Sequence, residues 1–290
     1  MLADGRLRVV RVYEAQAAAL AEGHRQPANS TIERLVRDVY APHPDFWAGY
    51  LGDEARFRTW ARDGLLDSAS PIEAHVDTFR MLGLADLFED GAAWVQRATG
   101  YPPEGTWVLV YGPGWTDMGR IGETTMVADL SRLTTDRERL RHTVVHELVH
   151  QVHGPRPARD ADPDRGTVLD RVVVEGLGSY AAHVHAAGAR TPAQAVGYTE
   201  DEWRWALAHE AELAAATAAV LDSRDRADLD RVSSRGESVL DEGVTAPGYF
   251  LGFRIVEAYE ARDGAGSWVE ILDLHVREVL AWSGYAHLTR

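Results

Sequence analysis

His146 and His150, with Glu147 directly after the first of them, form the pattern His-Glu-x-x-His. On an α-helix, a spacing of four residues places two side chains on one face, about one turn apart. Both imidazoles could then bind the same metal ion, and this pattern is typical of zinc-dependent hydrolases. Glu147 would lie beside the metal, where a general base for the attacking water must be. The pattern therefore predicts His146 and His150 as metal ligands and Glu147 as the catalytic base.

The residues around this motif predict that its helix packs into a core. The seven other residues between 143 and 152 carry no charge, and a charge packed against a core would be costly to desolvate. Thr135 and Glu138 match a capping box, apolar residues recur at helical spacing, and a glycine-proline pair would end the helix. We therefore expect a helix over residues 136–153. The alternative is a surface helix with two accidental histidines and a solvated glutamate.

A catalytic zinc ion usually has three protein ligands and an open fourth position, so a further ligand is needed. Glu175 is the best candidate, because it is a lone carboxylate in an apolar run over residues 172–180. Such a group is costly to bury unless it is paired or bound to metal. We expect a second helix over residues 167–186, in which Gly176 and Gly178 allow close packing. The alternative is an ordinary glutamate on a solvated stripe, but its neighbours leave no polar stripe there.

These features resemble the gluzincins, the thermolysin-like zinc peptidases, in which a glutamate on a second helix completes the His-Glu-x-x-His site. Between His150 and Glu175 lie 24 residues, and a loop predicted over residues 154–166 accounts for this long spacing. The chain resembles still more closely an uncharacterised bacterial family of predicted zinc-dependent proteases, over about residues 90–290. Three segments carry this resemblance: the motif helix, Glu175-Gly176-Leu177, and residues 247–256.

The resemblance implies an α+β, mostly helical fold with a thermolysin-like zincin core and a small β-sheet before the motif helix. It also implies a Zn²⁺ cofactor and hydrolysis of a peptide or protein substrate. Tyr249 lies in the third segment and is the implied stabiliser of the oxyanion, although a core aromatic residue is the alternative. Tyr180 and Arg254 are weaker candidates for that role. Ser179 stands where thermolysin-like enzymes often have an acidic residue, which leaves the partner that orients the zinc histidines unidentified.

Two apolar segments before the motif helix predict β-strands. Residues 107–111 predict one strand and residues 124–128 another, with a Gly-Pro-Gly turn after the first. By analogy with the gluzincins, the second would be an edge strand to which an extended substrate adds. A structural hairpin or sheet without a substrate role is the alternative.

Four further histidines lie close to the predicted ligands along the chain. His142 and His153 are each about one turn from a motif histidine, and His183 is two turns after Glu175. His185 follows on the same predicted helix. Their spacing would allow a role around the metal, but ordinary surface or partly buried positions are the preferred interpretation.

The composition limits the chemistry and the partners. The net charge of −15 argues against nucleic-acid binding. The absence of cysteine excludes disulfides and thiolate metal sites, so metal ligands must be His, Asp or Glu. The chain also has no lysine, which removes any lysine nucleophile. Residues 1–12 do not resemble a signal peptide and no segment approaches a membrane span, so we expect a cytoplasmic protein without membrane partners.

The chain is long enough for two parts. Residues 1–92 predict a helical N-terminal subdomain, and residues 93–290 predict the zincin-like metallopeptidase domain. Within the first part, four aromatic residues at near-helical spacing predict a core, with a binding groove as the alternative: Trp47, Tyr50, Phe57 and Trp60. The other helices predicted from sequence cover residues 14–20, 31–40 and 202–221, and residues 222–243 predict a charged loop or lid.

The sequence therefore predicts a gluzincin-type zinc peptidase, with His146, His150 and Glu175 as ligands and Glu147 as base. One rival hypothesis keeps the same site but gives it a non-peptide bond to hydrolyse. The other is a non-catalytic zinc-stabilised binding module. The presence of Glu147 and the absence of cysteine argue against that module, because structural zinc sites are usually closed four-ligand sites with cysteine.

Overall fold

A computed structural model describes residues 6–23, 26–240 and 242–285. Most of these residues are helical, and four short strands form one mixed sheet, so the α+β, mostly helical class is confirmed. The chain divides into two compact units, Met1–Ala93 with Pro102–Val144, and Trp94–Tyr101 with Val145–Arg290. The strands that follow residue 93 thus group with the N-terminal residues.

The first unit is built from six helices around an aromatic core. Trp47 and Phe57 are fully buried, with ring centroids 4.8 Å apart, and Trp60 packs against both. The core interpretation of these aromatic residues is therefore confirmed. The helices are α1 (Val12–Gly23), α2 (Ala28–Leu35), α3 (Pro44–Tyr50), α4 (Glu54–Trp60), α5 (Ala69–Met81) and α6 (Leu84–Thr99), the last of which continues into the second unit. The π-helical turns Val36–Tyr40 and Ala61–Leu65 extend α2 and α4.

The sheet of the first unit has the order β1-β2-β4-β3, with β1, β2 and β4 parallel and β3 antiparallel to β4. Its strands are β1 (Leu7–Arg11), β2 (Gly105–Val110), β3 (Met118–Arg120) and β4 (Thr125–Asp129). Buried apolar side chains follow one another along β2 and β4, as is usual for parallel strands covered on both faces. Both strands were predicted, whereas β1, which has arginine at two of its five positions, was not recognised from its sequence.

The predicted edge strand is wrong. Residues 125–129 form β4, which pairs with β2 on one side and with β3 on the other. Its backbone hydrogen-bonding groups are therefore already used, and an extended peptide cannot add to it. Of the alternative, a structural hairpin or sheet, the sheet agrees with the pairing of β2 and β4, whereas a hairpin of these two strands is excluded because they run parallel.

The second unit is helical. Its helices are α7 (Arg137–His153), which begins in the first unit, α8 (Pro157–Asp160), α9 (Val168–Ala186), α10 (Pro192–Ala195), α11 (Glu200–Ala208), α12 (Glu210–Ala218), α13 (Arg226–Ser233), α14 (Pro247–Asp263) and α15 (Val276–Trp282). A 3₁₀ helix, Ser267–Asp273, precedes α15. Within the described ranges, no helix combines the length and the apolar composition that a membrane span needs.

Two predictions for this unit need correction. The helix predicted over residues 202–221 is broken at His209, whose backbone leaves the helical region. Nδ1 of His209 lies 2.9 Å from the Trp205 carbonyl oxygen, and its ring stacks on that of Trp205. The backbone N–H of His209 also donates to this carbonyl, at 3.1 Å, so the helical hydrogen bond at this residue is kept. The segment predicted as a loop or lid contains a two-turn helix, α13.

Helices α9 and α14 cross in backbone contact. A Cβ atom added to Gly176 would lie 2.1 Å from the backbone carbon of Gly252, and one added to Gly252 would lie 2.0 Å from the Val172 oxygen. Only glycine fits at both positions. This crossing brings the start of α14, and Tyr249 with it, against the middle of α9.

Candidate metal centre

Helix α7 has the predicted extent and presents its apolar face to the interior. Val144, Val145, Leu148 and Val149 are fully buried. The N-terminal cap differs from the prediction, because the Asp136 carboxylate, rather than Thr135, accepts a hydrogen bond from the Arg139 backbone at 3.0 Å. Aspartate is as good a cap as threonine and also interacts favourably with the positive end of the helix dipole.

The side chains of His146, His150 and Glu175 converge on one point. Nε2 of His146 lies 2.9 Å from Nε2 of His150 and 3.1 Å from Oε2 of Glu175, and the third side of this triangle measures 3.5 Å. A tetrahedral zinc ion with bonds of about 2.0–2.2 Å separates its ligand atoms by about 3.3–3.6 Å. The distance between His150 and Glu175 falls in this range, and the two distances from His146 are about 0.2–0.4 Å shorter, so the three atoms would move apart slightly around such an ion. Two imidazoles and a carboxylate are a frequent donor set of catalytic zinc.

Two glutamates compete for the position of third ligand. His146, Glu147 and His150 offer ligand atoms within 4.8 Å of one another. Glu175 is nevertheless the better ligand, since its oxygen approaches both imidazole nitrogens to within 3.5 Å. Its side chain is also buried, whereas that of Glu147 is partly exposed. The geometry thus places Glu175 in the ligand triangle and Glu147 beside it.

Glu175 is held as a carboxylate. Burial alone would raise its pKa, but the neighbouring His150, His146 and Arg171 hold the pKa well below its ordinary value. Arg171 lies one turn earlier on α9, with Nη1 3.1 Å from Oε1 of Glu175. One carboxylate oxygen therefore faces the imidazoles and the other faces a guanidinium, which fixes the direction of the group.

Ser179 is the neighbour of His146 on the side away from the ligand triangle. Its hydroxyl oxygen lies 3.5 Å from Nδ1 of His146, at the outer limit of a hydrogen bond. Ser179 thus lies where a residue that orients the imidazole of His146 would be expected. Nδ1 of His150 is buried and has no hydrogen-bond partner among the described residues.

Gly178 makes room for both imidazoles. A Cβ atom at this position would lie 2.9 Å from Cε1 and Nδ1 of His146 and 2.9 Å from Cε1 of His150. Real Cβ atoms do not approach neighbours so closely. The absence of a side chain at Gly178 therefore lets α9 pass directly over the two rings of α7.

Tyr249 begins α14 next to the ligands. Pro247 is the first residue of this helix, as the sequence predicted, and the Tyr249 ring centroid lies 6.3 Å from that of His146. Burial and the Glu175 carboxylate raise the pKa of Tyr249. The phenol therefore stays protonated at neutral pH and can donate a hydrogen bond. Among the described residues, no acceptor for this hydroxyl is found.

The remaining candidates have other partners. Tyr180 packs against Phe253, and Arg254 lies beside Glu210 and Glu257. His183 packs against Phe253 and His185 against Trp94, so both side chains take part in aromatic packing, as preferred.

His142 and His153 are buried and lie outside the cluster of potential ligands. Burial lowers the pKa of His153 to about 3, which keeps its imidazole neutral in the folded chain. Both residues are thus more deeply buried than the surface or partly buried positions expected from the sequence.

Sequence reasoning missed two features of this centre. Arg171 could have been found, because a spacing of four residues places it next to Glu175 on a helix. Arg235 stacks over the Tyr249 ring at 4.9 Å and comes from a loop 60 positions after Glu175, so no local pattern points to it.

The described centre lies entirely within the second unit. Comparisons of the chain with protein-family models, curated proteins and solved structures gave no significant match. The chemistry assigned to these residues therefore rests on their geometry and on their sequence pattern.

Proposed function

We propose that this chain is a zinc-dependent peptidase of the gluzincin type, in which His146, His150 and Glu175 hold Zn²⁺ and Glu147 is the general base. The observation that carries the proposal is the division of roles between two glutamates. One is buried in a triangle with both imidazoles, and the other is partly exposed at its side. A purely structural site would have no use for the second carboxylate.

When bound, zinc would supply Lewis-acid chemistry, polarising a substrate carbonyl and lowering the pKa of a water molecule. Glu147 accepts a proton as the water oxygen adds to the carbonyl carbon. It then donates this proton to the nitrogen of the leaving amine as the C–N bond breaks. Tyr249 donates a hydrogen bond from its protonated phenol to the oxyanion that forms at the carbonyl.

The thermolysin-like zincin core is part of the same proposal. The motif helix followed by a helix with the third ligand supports it. In the gluzincin plan an extended substrate pairs with an edge strand before the motif helix. Here β4 is already paired on both sides, so an extended substrate would have to bind somewhere else.

The test compares the wild-type chain with Glu147→Gln, both loaded with zinc, on peptide libraries and on panels of simple amides and esters. We expect the variant to keep about one zinc per chain by elemental analysis and to lose about 100- to 10,000-fold in kcat, the range that general acid–base groups contribute. Glu138→Gln removes the same charge from the exposed first turn of the same helix and is the matched control.

Each outcome is informative. Cleavage of esters but not of peptides would replace the peptidase with a hydrolase of another bond. Zinc binding without any turnover by the wild-type chain would favour a zinc-stabilised module. Full activity of Glu147→Gln would overturn the mechanism.

A further inference from the structure

Arg235 places a guanidinium beside the candidate metal centre. It follows α13, and its Cζ atom lies 4.9 Å from the ring centroid of Tyr249 and 5.9 Å from that of Tyr198. The Tyr249 ring in turn lies 6.3 Å from the ring of His146. A single aromatic ring therefore separates this cation from a metal ligand.

The backbone of the second unit holds Arg235 in this place. Its Nη2 donates a hydrogen bond of 2.6 Å to the Val196 carbonyl. Gly197, the residue after Val196, has φ +75°. A Cβ atom at this position would lie 2.5 Å from the same Nη2 of Arg235, so a side chain there would collide with the guanidinium. One corner of the guanidinium is thus held by a backbone carbonyl, and two tyrosine rings lie beside the group. The residue is exposed and keeps further N–H groups for another acceptor.

Within the described ranges Arg235 forms no ion pair within 4.0 Å. It interacts electrostatically with Glu202, whose pKa is lowered mainly by hydrogen bonds from Thr199 and to a smaller extent by Arg235. Other arginines of the same unit are paired, as Arg204 is with Asp201 and Arg277 with Asp164. Arg171, the second guanidinium near Tyr249, already binds Glu175 at 3.1 Å. An oriented and unpaired guanidinium beside a reaction centre is suited to a carboxylate, which it can bind through parallel hydrogen bonds.

We propose that Arg235 is the specificity residue of this site and binds a carboxylate of the substrate close to the bond that is cleaved. The inference rests on the proposed function and adds the substrate class, which is anionic peptides. The carboxylate has two possible sources, the C-terminus of the peptide or an Asp or Glu side chain.

The first experiment uses zinc-loaded wild-type chain and Arg235→Gln on peptide libraries in matched forms. One form has a free C-terminus and the other a C-terminal amide, each with Asp/Glu or Asn/Gln at the varied positions. We expect the wild-type chain to prefer one carboxylate form over its neutral partner by about 10- to 100-fold in kcat/KM, as for a hydrogen bond to a charged group. Arg235→Gln should remove this preference, and Arg235→Lys should retain part of it.

Arg204→Gln is the matched control, because it removes an exposed arginine of the same unit that is paired with Asp201. It should leave the preference unchanged. A preference for the free C-terminus would identify the peptide end as the source, and a preference for Asp/Glu would identify the side chain.

The second experiment does not depend on turnover or on zinc. Binding of N-acetyl-leucine and of N-acetyl-leucinamide to the metal-free chain is measured by NMR titration, because in the zinc-loaded chain a carboxylate could bind the metal instead. We expect the acid to bind about 10-fold more tightly than the amide, and the difference to vanish in Arg235→Gln.

These readouts separate the two proposals. Peptide cleavage without any acid-to-amide preference, or with a preference that survives Arg235→Gln, overturns the role of Arg235 and leaves the peptidase intact. A carboxylate preference in the metal-free chain without any hydrolysis overturns the peptidase and leaves the anion site. Equal binding of acid and amide to the metal-free chain, together with a wild-type preference for the free C-terminus, also contradicts the role of Arg235. Equal binding together with a preference for Asp/Glu agrees with a side chain as the source of the carboxylate.

Discussion

At the scale of single residues, two glutamates with the same chemistry have different surroundings. Glu175 is buried between two imidazoles and Arg171, which hold its pKa well below the ordinary value. Glu147 is partly exposed on the helix that carries both histidines. In the proposed function, these surroundings suit Glu175 to bind the cation and Glu147 to accept and return a proton.

Gly178 allows a direct prediction about the metal. Gly178→Ala should lower zinc affinity by about 10- to 100-fold, the range found when groups that position metal ligands are changed. The physical reason is that a methyl group would push against both imidazoles, 2.9 Å from atoms of each ring. Competition with a zinc-binding dye measures the affinity.

The matched control for this change is Gly64→Ala. Its methyl group would meet Trp60 at 3.4 Å, an ordinary contact, in a helical turn of the first unit. Zinc affinity should not change in this control. If zinc affinity is unchanged in Gly178→Ala as well, the rings of His146 and His150 do not need the space at Gly178.

At the scale of elements, the crossing of α9 and α14 organises the centre. Helix α9 supplies Glu175, Ser179 and the gap at Gly178, and α14 supplies Tyr249. The glycines Gly176 and Gly252 bring the two backbones into contact, so Tyr249 reaches the ring of His146.

This crossing predicts a stability effect. Gly176→Ala and Gly252→Ala should each destabilise the second unit by about 1–3 kcal/mol, as expected for overpacking, although alanine is the better helix former. The double variant should lose less stability than the sum of the two single variants, because the separation of α9 and α14 that accommodates the first methyl group also makes room for the second. Denaturant unfolding followed by circular dichroism measures these free energies. Single variants as stable as the wild-type chain would contradict the close crossing.

The comparison of sequence and structure is most instructive for these elements. The extents of α7 and α9 follow from periodicity and from capping and stop residues, so both helices could be predicted closely. The pairing of β4 on two sides could not be predicted, because which strands are neighbours depends on contacts between distant segments. The break at His209, where the backbone angles leave the helical region, interrupts a good helical pattern and could not be read from that pattern.

At the scale of the whole molecule, the chain forms two compact units with different contents. The first holds the sheet and the aromatic core, and the second holds every residue assigned to the metal centre. The boundary could not be taken from the sequence, since residues 102–144 group with the N-terminal part although they directly precede the motif. Contacts between segments far apart in the chain decide such a division.

Metal removal should therefore destabilise the second unit. Zinc at 100 times its dissociation constant should stabilise the folded unit by about 2.7 kcal/mol, and EDTA should reverse this gain. Glu175→Gln should abolish most of the zinc-dependent rise in Tm. His150→Ala should do the same and is the second test, because the buried glutamine amide of the first variant could itself impair folding. Calorimetry with and without zinc measures the effect. An equal rise in Tm in both variants would place the metal elsewhere.

Anomalous diffraction from a crystal of the zinc-loaded chain, recorded at the zinc absorption edge, tests the central claim most directly. We predict one strong peak about 2.0–2.2 Å from Nε2 of His146, Nε2 of His150 and a carboxylate oxygen of Glu175, with Glu147 outside the coordination sphere. A peak bonded to Glu147 instead of Glu175, or a peak elsewhere in the chain, would contradict the assignment of ligand and base.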